Sequence, residues 1–156
     1  MADAIGVVGQ PSLALWPYNA GLGPGTEEPP PAAGPEPWLT AGFAELQLAH
    51  DGFEDDVEAE LARGSAVVLV IEMTDEFEDP EPDGRIRVPN LRAPAGDYHA
   101  VLVVGADDVS GNRHLLIRNS WGVGWGSGGY GWLPVAYLEA FAVQAGAVRV
   151  TSGSPP

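Results

Sequence analysis

Of the three histidines in this chain, His99 is the one whose neighbours could give it chemical work. It opens the apolar run Ala100-Val101-Leu102-Val103-Val104-Gly105, and Asn119 closes a second run, Arg113-His114-Leu115-Leu116-Ile117-Arg118. The polar stretch from Asp107 to Asn112 between them holds turn residues, so the two runs are expected to fold back on each other as an antiparallel hairpin. With the turn centred on Val109, His99 lies opposite Asn119. Cross-strand neighbours on one face have Cβ atoms roughly 4.5–5.5 Å apart, close enough for an imidazole to hydrogen-bond a carboxamide. A slip of one residue would send the pair to opposite faces, which makes the expectation strict. His50 and His114 have no comparable context and are read as structural or exposed. Three histidines without a carboxylate at metal spacing make a poor metal site, and neither a metal nor another cofactor is expected.

Composition narrows the chemistry further. No residue is a cysteine, which excludes disulfides, thiolate-ligated zinc, iron–sulfur clusters and any cysteine nucleophile supplied by these 156 residues. Acidic residues number 22 against 7 basic ones, every one of them arginine, for a formal net charge of −15. Such a surface repels phosphate backbones and anionic headgroups, so neither nucleic acid nor membrane is expected as a partner. No run approaches the roughly 18 apolar residues of a membrane span. The first twenty residues lack a basic stretch followed by an apolar one, and Asp3 stands where positive charge would be expected, so the cytoplasm is the default location. The length fits one domain over residues 1–156, and 45% hydrophobic with 19% charged residues is a globular balance.

The elements that must position the hairpin can be read in outline. Residues 1–21 are apolar and mixed and end in the aromatic, turn-rich cluster Trp16-Pro17-Tyr18-Asn19-Ala20-Gly21. Proline and glycine over 22–37 point to a surface loop without regular structure, and residues 151–156 to a flexible tail. Asp55 to Arg63 has acids in its first turn, apolar residues four apart, arginine at its end and Gly64 as a stop, so a short amphipathic helix is expected. Ala66-Val67-Val68-Leu69-Val70-Ile71 reads as a buried strand. The acidic stretch from Asp75 to Asp83 reads as a solvated, proline-broken loop. After the hairpin, Gly128 to Leu133 suggests a third strand, Val135 to Phe141 a short helix or turn, and Ala142 to Val150 a closing strand. The tryptophans and glycines of 121–132 are better explained by packing and loop geometry than by base stacking, since no arginine lies between Arg118 and Arg149.

Tyr98-His99-Ala100-Val101, then Leu116-Ile117-Arg118-Asn119-Ser120-Trp121-Gly122, then Gly124-Trp125-Gly126 and Gly129-Tyr130, resemble the catalytic histidine and asparagine segments of papain-like cysteine peptidases of the C1 family. Upstream, Trp16-Pro17-Tyr18 resembles that family's Tyr-Pro-Tyr loop, and the helix, the strand and the Phe77 loop come in the family's order. The resemblance implies an α+β, papain-like fold: an antiparallel, barrel-like half with few short helices beside an incomplete helical half. It implies His99 as general acid and base and Asn119 as its orienter. Trp121 would shield their hydrogen bond, and Gly122, Gly124, Trp125 and Gly126 would form the loop turning against the site. In the family the attacking group is a cysteine thiolate, stabilised by the imidazolium beside it. That cysteine lies about 130–150 residues before the histidine in the papain group, whereas here only 98 residues precede His99 and none is a cysteine. The chain therefore matches the C-terminal His/Asn portion without the N-terminal cysteine helix. Tyr98 also replaces the small polar residue common before the histidine, which bears on the substrate subsites. Peptide-bond hydrolysis would need a partner chain, or a segment outside these residues, to supply the cysteine for a peptide or protein substrate. The other expectation is an inactive pseudopeptidase kept as a binding or regulatory module.

Overall fold

A computed structural model of the chain describes residues 6–17, 19, 27–48, 50–90, 97–109 and 111–151. Its contacts divide it into two compact units, residues 44–148 and residues 1–43 with 149–156.

The larger unit is built on β-branched sequence. Strand β2 (Ala66–Glu72) alternates Val67, Leu69 and Ile71, all fully buried, with the half-buried Val68 and Val70. β3 (Tyr98–Val109) and β4 (Asn112–Arg118) form the expected hairpin, followed by β5 (Tyr130–Pro134) and β6 (Ala142–Thr151). With β1 (Thr40–Leu46) they make one six-stranded sheet in the order β1-β6-β2-β3-β4-β5. β2 pairs antiparallel with β3 and β6, and β4 pairs antiparallel with β3 and β5. One face of the sheet carries the core: Val101, Val103, Leu115, Ile117 and Leu133 pack with Phe53 and Val57 of α1 (Phe53–Ala62), Phe77 of α2 (Asp75–Glu78), and Tyr137, Leu138 and Phe141 of α3 (Val135–Phe141). Burying each such side chain contributes about 1.5–3 kcal/mol, which is why the short helices hold.

The structure corrects several expectations. α1 starts two residues early, at Phe53, because Gly52 takes a left-handed conformation (φ 80°) at the N-cap and Phe53 is drawn into the core. The acidic stretch after Thr74 is not all loop. Its first turn is the helix α2, begun where the Thr74 side chain caps the Phe77 N–H and fixed by the complete burial of Phe77. The hairpin strands run on through Asp107, Asp108 and Val109, and Val109 pairs with Asn112. The turn is therefore later and tighter than Val109 would give, with Gly111 at φ 83° and its N–H bonded to Asp108 Oδ1 at 2.7 Å. β1 has no counterpart in the sequence reading.

In the smaller unit the loop expectation also changes. Within the proline-rich stretch, Pro31–Ala33 forms a 3-10 turn with proline at its start, where the missing N–H costs nothing. The Trp38 indole donates to the Ala33 carbonyl at 3.0 Å, and the Trp16 and Trp38 rings meet edge to face with centroids 6.4 Å apart. Residues 22–26 of that loop, and Tyr18, Ala20 and Gly21 of the aromatic cluster, lie outside the described residues, as does the tail beyond Thr151, which itself ends β6.

Candidate active site

His99 and Asn119 meet. The His99 Nε2 lies 2.8 Å from Asn119 Oδ1. They come together by a different register from the expected one. Leu102 faces Arg118 and Val103 faces Ile117, and a bulge sets Val104 aside before Gly105 pairs with Leu116. The pairing is thus offset by two residues near the site. An even offset keeps both side chains on one face. Past Arg118 the strand leaves the ladder, and the Asn119 N–H donates instead to the Gly129 carbonyl at 3.0 Å. That bend brings the carboxamide back to the ring. On its other side His99 pairs with Ile71 of β2.

The hydrogen bonds around Asn119 match a His99 ring that donates from Nε2. Asn119 Oδ1 also accepts from the Ser120 backbone N–H at 2.7 Å, and a backbone N–H can only donate. The oxygen of the carboxamide therefore faces both partners, and His99 must donate from Nε2. Its Nδ1 is the nitrogen that Asn119 does not engage. Asn119 is 7% exposed, and its Nδ2 is buried with no hydrogen-bond partner among the described residues. An orphaned buried donor costs about 1–3 kcal/mol, which offsets what the two hydrogen bonds to Oδ1 contribute.

Aromatic rings bracket the imidazole. Trp121 stacks on it with centroids 4.8 Å apart and a tilt of 39°. At 43% exposure the indole covers one side of the imidazole and keeps its own outer face in solvent. Phe77 approaches from the core, 5.8 Å from His99, 5.6 Å from Trp121 and 5.2 Å from Trp125. The Trp125 indole is buried and donates to the Phe77 carbonyl at 3.1 Å. Two glycines let this packing happen. A Cβ on Gly126 (φ 54°) would collide with the Tyr130 carbonyl, and one on Gly131 would sit 2.7 Å from the Trp125 ring. Gly122 (φ 87°) opens the turn, whereas Gly124 has ordinary backbone and open space around it, so the loop does not require glycine there.

The other two histidines lie elsewhere. His114 is buried and bonds the Asn112 carbonyl through Nδ1 at 2.8 Å. His50 is exposed and contacts Asp56. No group of three histidines, cysteines or carboxylates capable of holding a metal occurs among the described residues. No helix among them is long and apolar enough to cross a membrane. Sequence reading missed Thr74 and Tyr137, which stand behind Phe77. The Tyr137 hydroxyl donates its proton to the Glu72 carbonyl at 2.9 Å, and its oxygen accepts from the Thr74 hydroxyl at 3.3 Å. Burial pushes its pKa up to about 12, so it remains a donor throughout the neutral range. A threonine three residues before a lone phenylalanine was a legible capping signal; the tyrosine left none.

A tethered imidazole–carboxamide pair under a tryptophan, on an antiparallel sheet with few short helices, defines the histidine-bearing half of a papain-like fold. The model for the papain family of cysteine proteases matches residues 38–145, and the chain belongs to that family. A cysteine protease of Blomia tropicalis is 33% identical over 87 residues, 56% of this chain and 26% of that protein. Peptidase 1 of Dermatophagoides pteronyssinus is 34% identical over 68 residues, 44% of this chain and 21% of that protein. Among solved structures, xylellain, a cysteine protease from Xylella fastidiosa, superposes with a TM-score of 0.67 at 27% identity, covering 97% of this chain and 60% of its own. The bromelain protease of Ananas comosus in complex with E64 shares the fold, with a TM-score of 0.63 at 19% identity. The matches thus span about a tenth to a quarter of the length of the curated relatives and about three-fifths of xylellain.

Proposed function

We propose that this chain is the His/Asn portion of a cysteine peptidase whose nucleophile comes from outside residues 1–156, on a partner chain or another segment. The observation that carries the reading is the 2.8 Å contact between His99 Nε2 and Asn119 Oδ1. With Nε2 committed to Asn119, the Nδ1 lone pair is the nitrogen available to form an ion pair with an incoming thiol, and later to protonate the leaving amine of a peptide or protein substrate. Trp121 and Phe77 keep water from part of the ring. The acidic surface argues against nucleic acid or membrane as the partner. A cytoplasmic location is proposed as part of the same reading and is checked by cell fractionation.

The chain alone is expected neither to hydrolyse fluorogenic peptide amides nor to be labelled by E-64. E-64-sensitive turnover without an added partner would contradict the reading. Co-expression with a neighbouring reading frame that carries a glutamine and a Gly-x-Cys-Trp helix start should restore thiol-dependent hydrolysis, and His99→Ala should abolish it. The absence of any cysteine favours a second reading, a pseudopeptidase that binds without cutting. A stable complex with the cysteine-bearing chain but no turnover would select it.

A further inference from the structure

We infer that the Tyr137 hydroxyl is a positioning group for His99, tying down the strand end and the phenylalanine against which the imidazole rests. Two paths run from this one oxygen. The first goes through the backbone. Tyr137 donates to the Glu72 carbonyl at 2.9 Å, at the last residue of β2, where Glu72 pairs with Tyr98 and Ile71 with His99. Just beyond, the Met73 N–H donates to the Asp97 carbonyl at 2.9 Å, closing the ladder beside the histidine. The second path goes through Thr74. Its hydroxyl donates to the Tyr137 oxygen at 3.3 Å while Oγ1 caps the Phe77 N–H at 3.4 Å, and its own carbonyl accepts from the Phe77 and Glu78 N–H groups at 3.0 Å. Phe77 is the ring shared by His99, Trp121 and Trp125.

A helix of four residues cannot hold its own shape, because nucleation costs more than one turn of hydrogen bonds returns. Its geometry must be imposed, and here the restraints come from the Thr74 cap, the Trp125 indole on the Phe77 carbonyl and the burial of Phe77. Tyr137 is fully buried and belongs to α3, and its hydrogen bonds and ring contact among the described residues go to Glu72, Thr74 and Phe141. Its role is to make the position of α2 and the end of β2 one rigid arrangement, so that the imidazole is presented in one orientation.

The inference rests on the reading that His99 is the working imidazole, but its test does not require turnover. In the isolated chain, Tyr137→Phe removes one oxygen and leaves the ring packing. The expected result, by nitrogen-15 and proton NMR of the His99 ring, is loss of the single Nε2–H tautomer in favour of a mixture. The ring protons should also move toward their unstacked positions as the Trp121 and Phe77 ring currents weaken. Thr74→Val should act in the same direction more weakly, and Thr74→Ser, which keeps the hydroxyl, should restore the native signals. If Tyr137→Phe lowers the melting temperature while the His99 signals stay where they were, Tyr137 is merely structural and the inference is wrong. Unchanged His99 signals in Thr74→Val would remove the second path. Because all this is read in the chain alone, failure here would leave partner-dependent hydrolysis standing, and failure of hydrolysis would leave the NMR result standing.

Discussion

Asn119 makes two hydrogen bonds through one oxygen and none through its nitrogen among the described residues, which is an odd economy for a buried side chain. Two ordinary hydrogen bonds are worth about 0.5–1.5 kcal/mol each, and the orphaned donor costs about 1–3 kcal/mol, so the balance is near zero. Replacing Asn119 with alanine should therefore change stability by about 1 kcal/mol or less. The His99 ring, in contrast, loses the acceptor that fixes its tautomer. Chemical denaturation and imidazole NMR on Asn119→Ala separate the two effects. A large loss of stability with an unaltered imidazole would mean the carboxamide is a packing element. A small one with a scrambled tautomer would show that it is kept for orientation.

At the scale of elements, the loop from β1 into α1 is closed by a charge that depends on pH. His50 Nδ1 lies 3.0 Å from the Asp51 carbonyl and Nε2 lies 3.1 Å from Asp56 Oδ2. Both are acceptors, so only the doubly protonated ring satisfies both. The Asp51 carbonyl first, and the Asp56 carboxylate after it, raise the His50 pKa above its ordinary 6.5, with burial working against them. A folded-state pKa above the unfolded one contributes stability that is whole below the unfolded value and is lost as pH rises through the raised value. The melting temperature of wild type should exceed that of His50→Gln at pH 5.5, and the gap should close by pH 8. A gap that widens with pH would show that the ring acts in its neutral form. The elements also show what sequence could convey. β2 and the hairpin were legible because β-branched runs and turn residues are local signals. β1 was not, because Thr40-Ala41-Gly42-Phe43-Ala44-Glu45-Leu46 has little strand character and becomes a strand only as the edge of the sheet. The His99–Asn119 meeting was legible because it depends on parity alone. The bulge at Val104 and the tighter turn at Gly111 changed the register by an even step, and no local residue pattern announced either.

Over the whole molecule, charge works in two opposite senses. Arg113 is the strongest local case: its guanidinium contacts Asp55 at 2.7 Å, Glu58 at 2.8 Å and Glu54 at 3.4 Å, fastening the β3–β4 hairpin to α1. The Asp55 and Glu58 hydrogen bonds raise its already high pKa, so it is charged at every pH of interest. Arg63, Arg85 and Arg87 are likewise paired with nearby carboxylates. Salt weakens all of these attractions. It also weakens the repulsion among the carboxylates in excess, since the formal net charge is −15. Exposed ion pairs contribute little, whereas self-repulsion grows with the net charge as a whole, so the second effect should win. Raising ionic strength from about 0.01 M to about 0.15 M shortens the screening length from about 30 Å to about 8 Å. The melting temperature of the chain should rise over that range. The deficit of Arg113→Gln relative to wild type should shrink over the same range, because the attractions it removes are the ones being screened. A wild-type melting temperature that falls with added salt would mean that the arginine pairs, and not the surplus of acid, set the electrostatic balance of the fold.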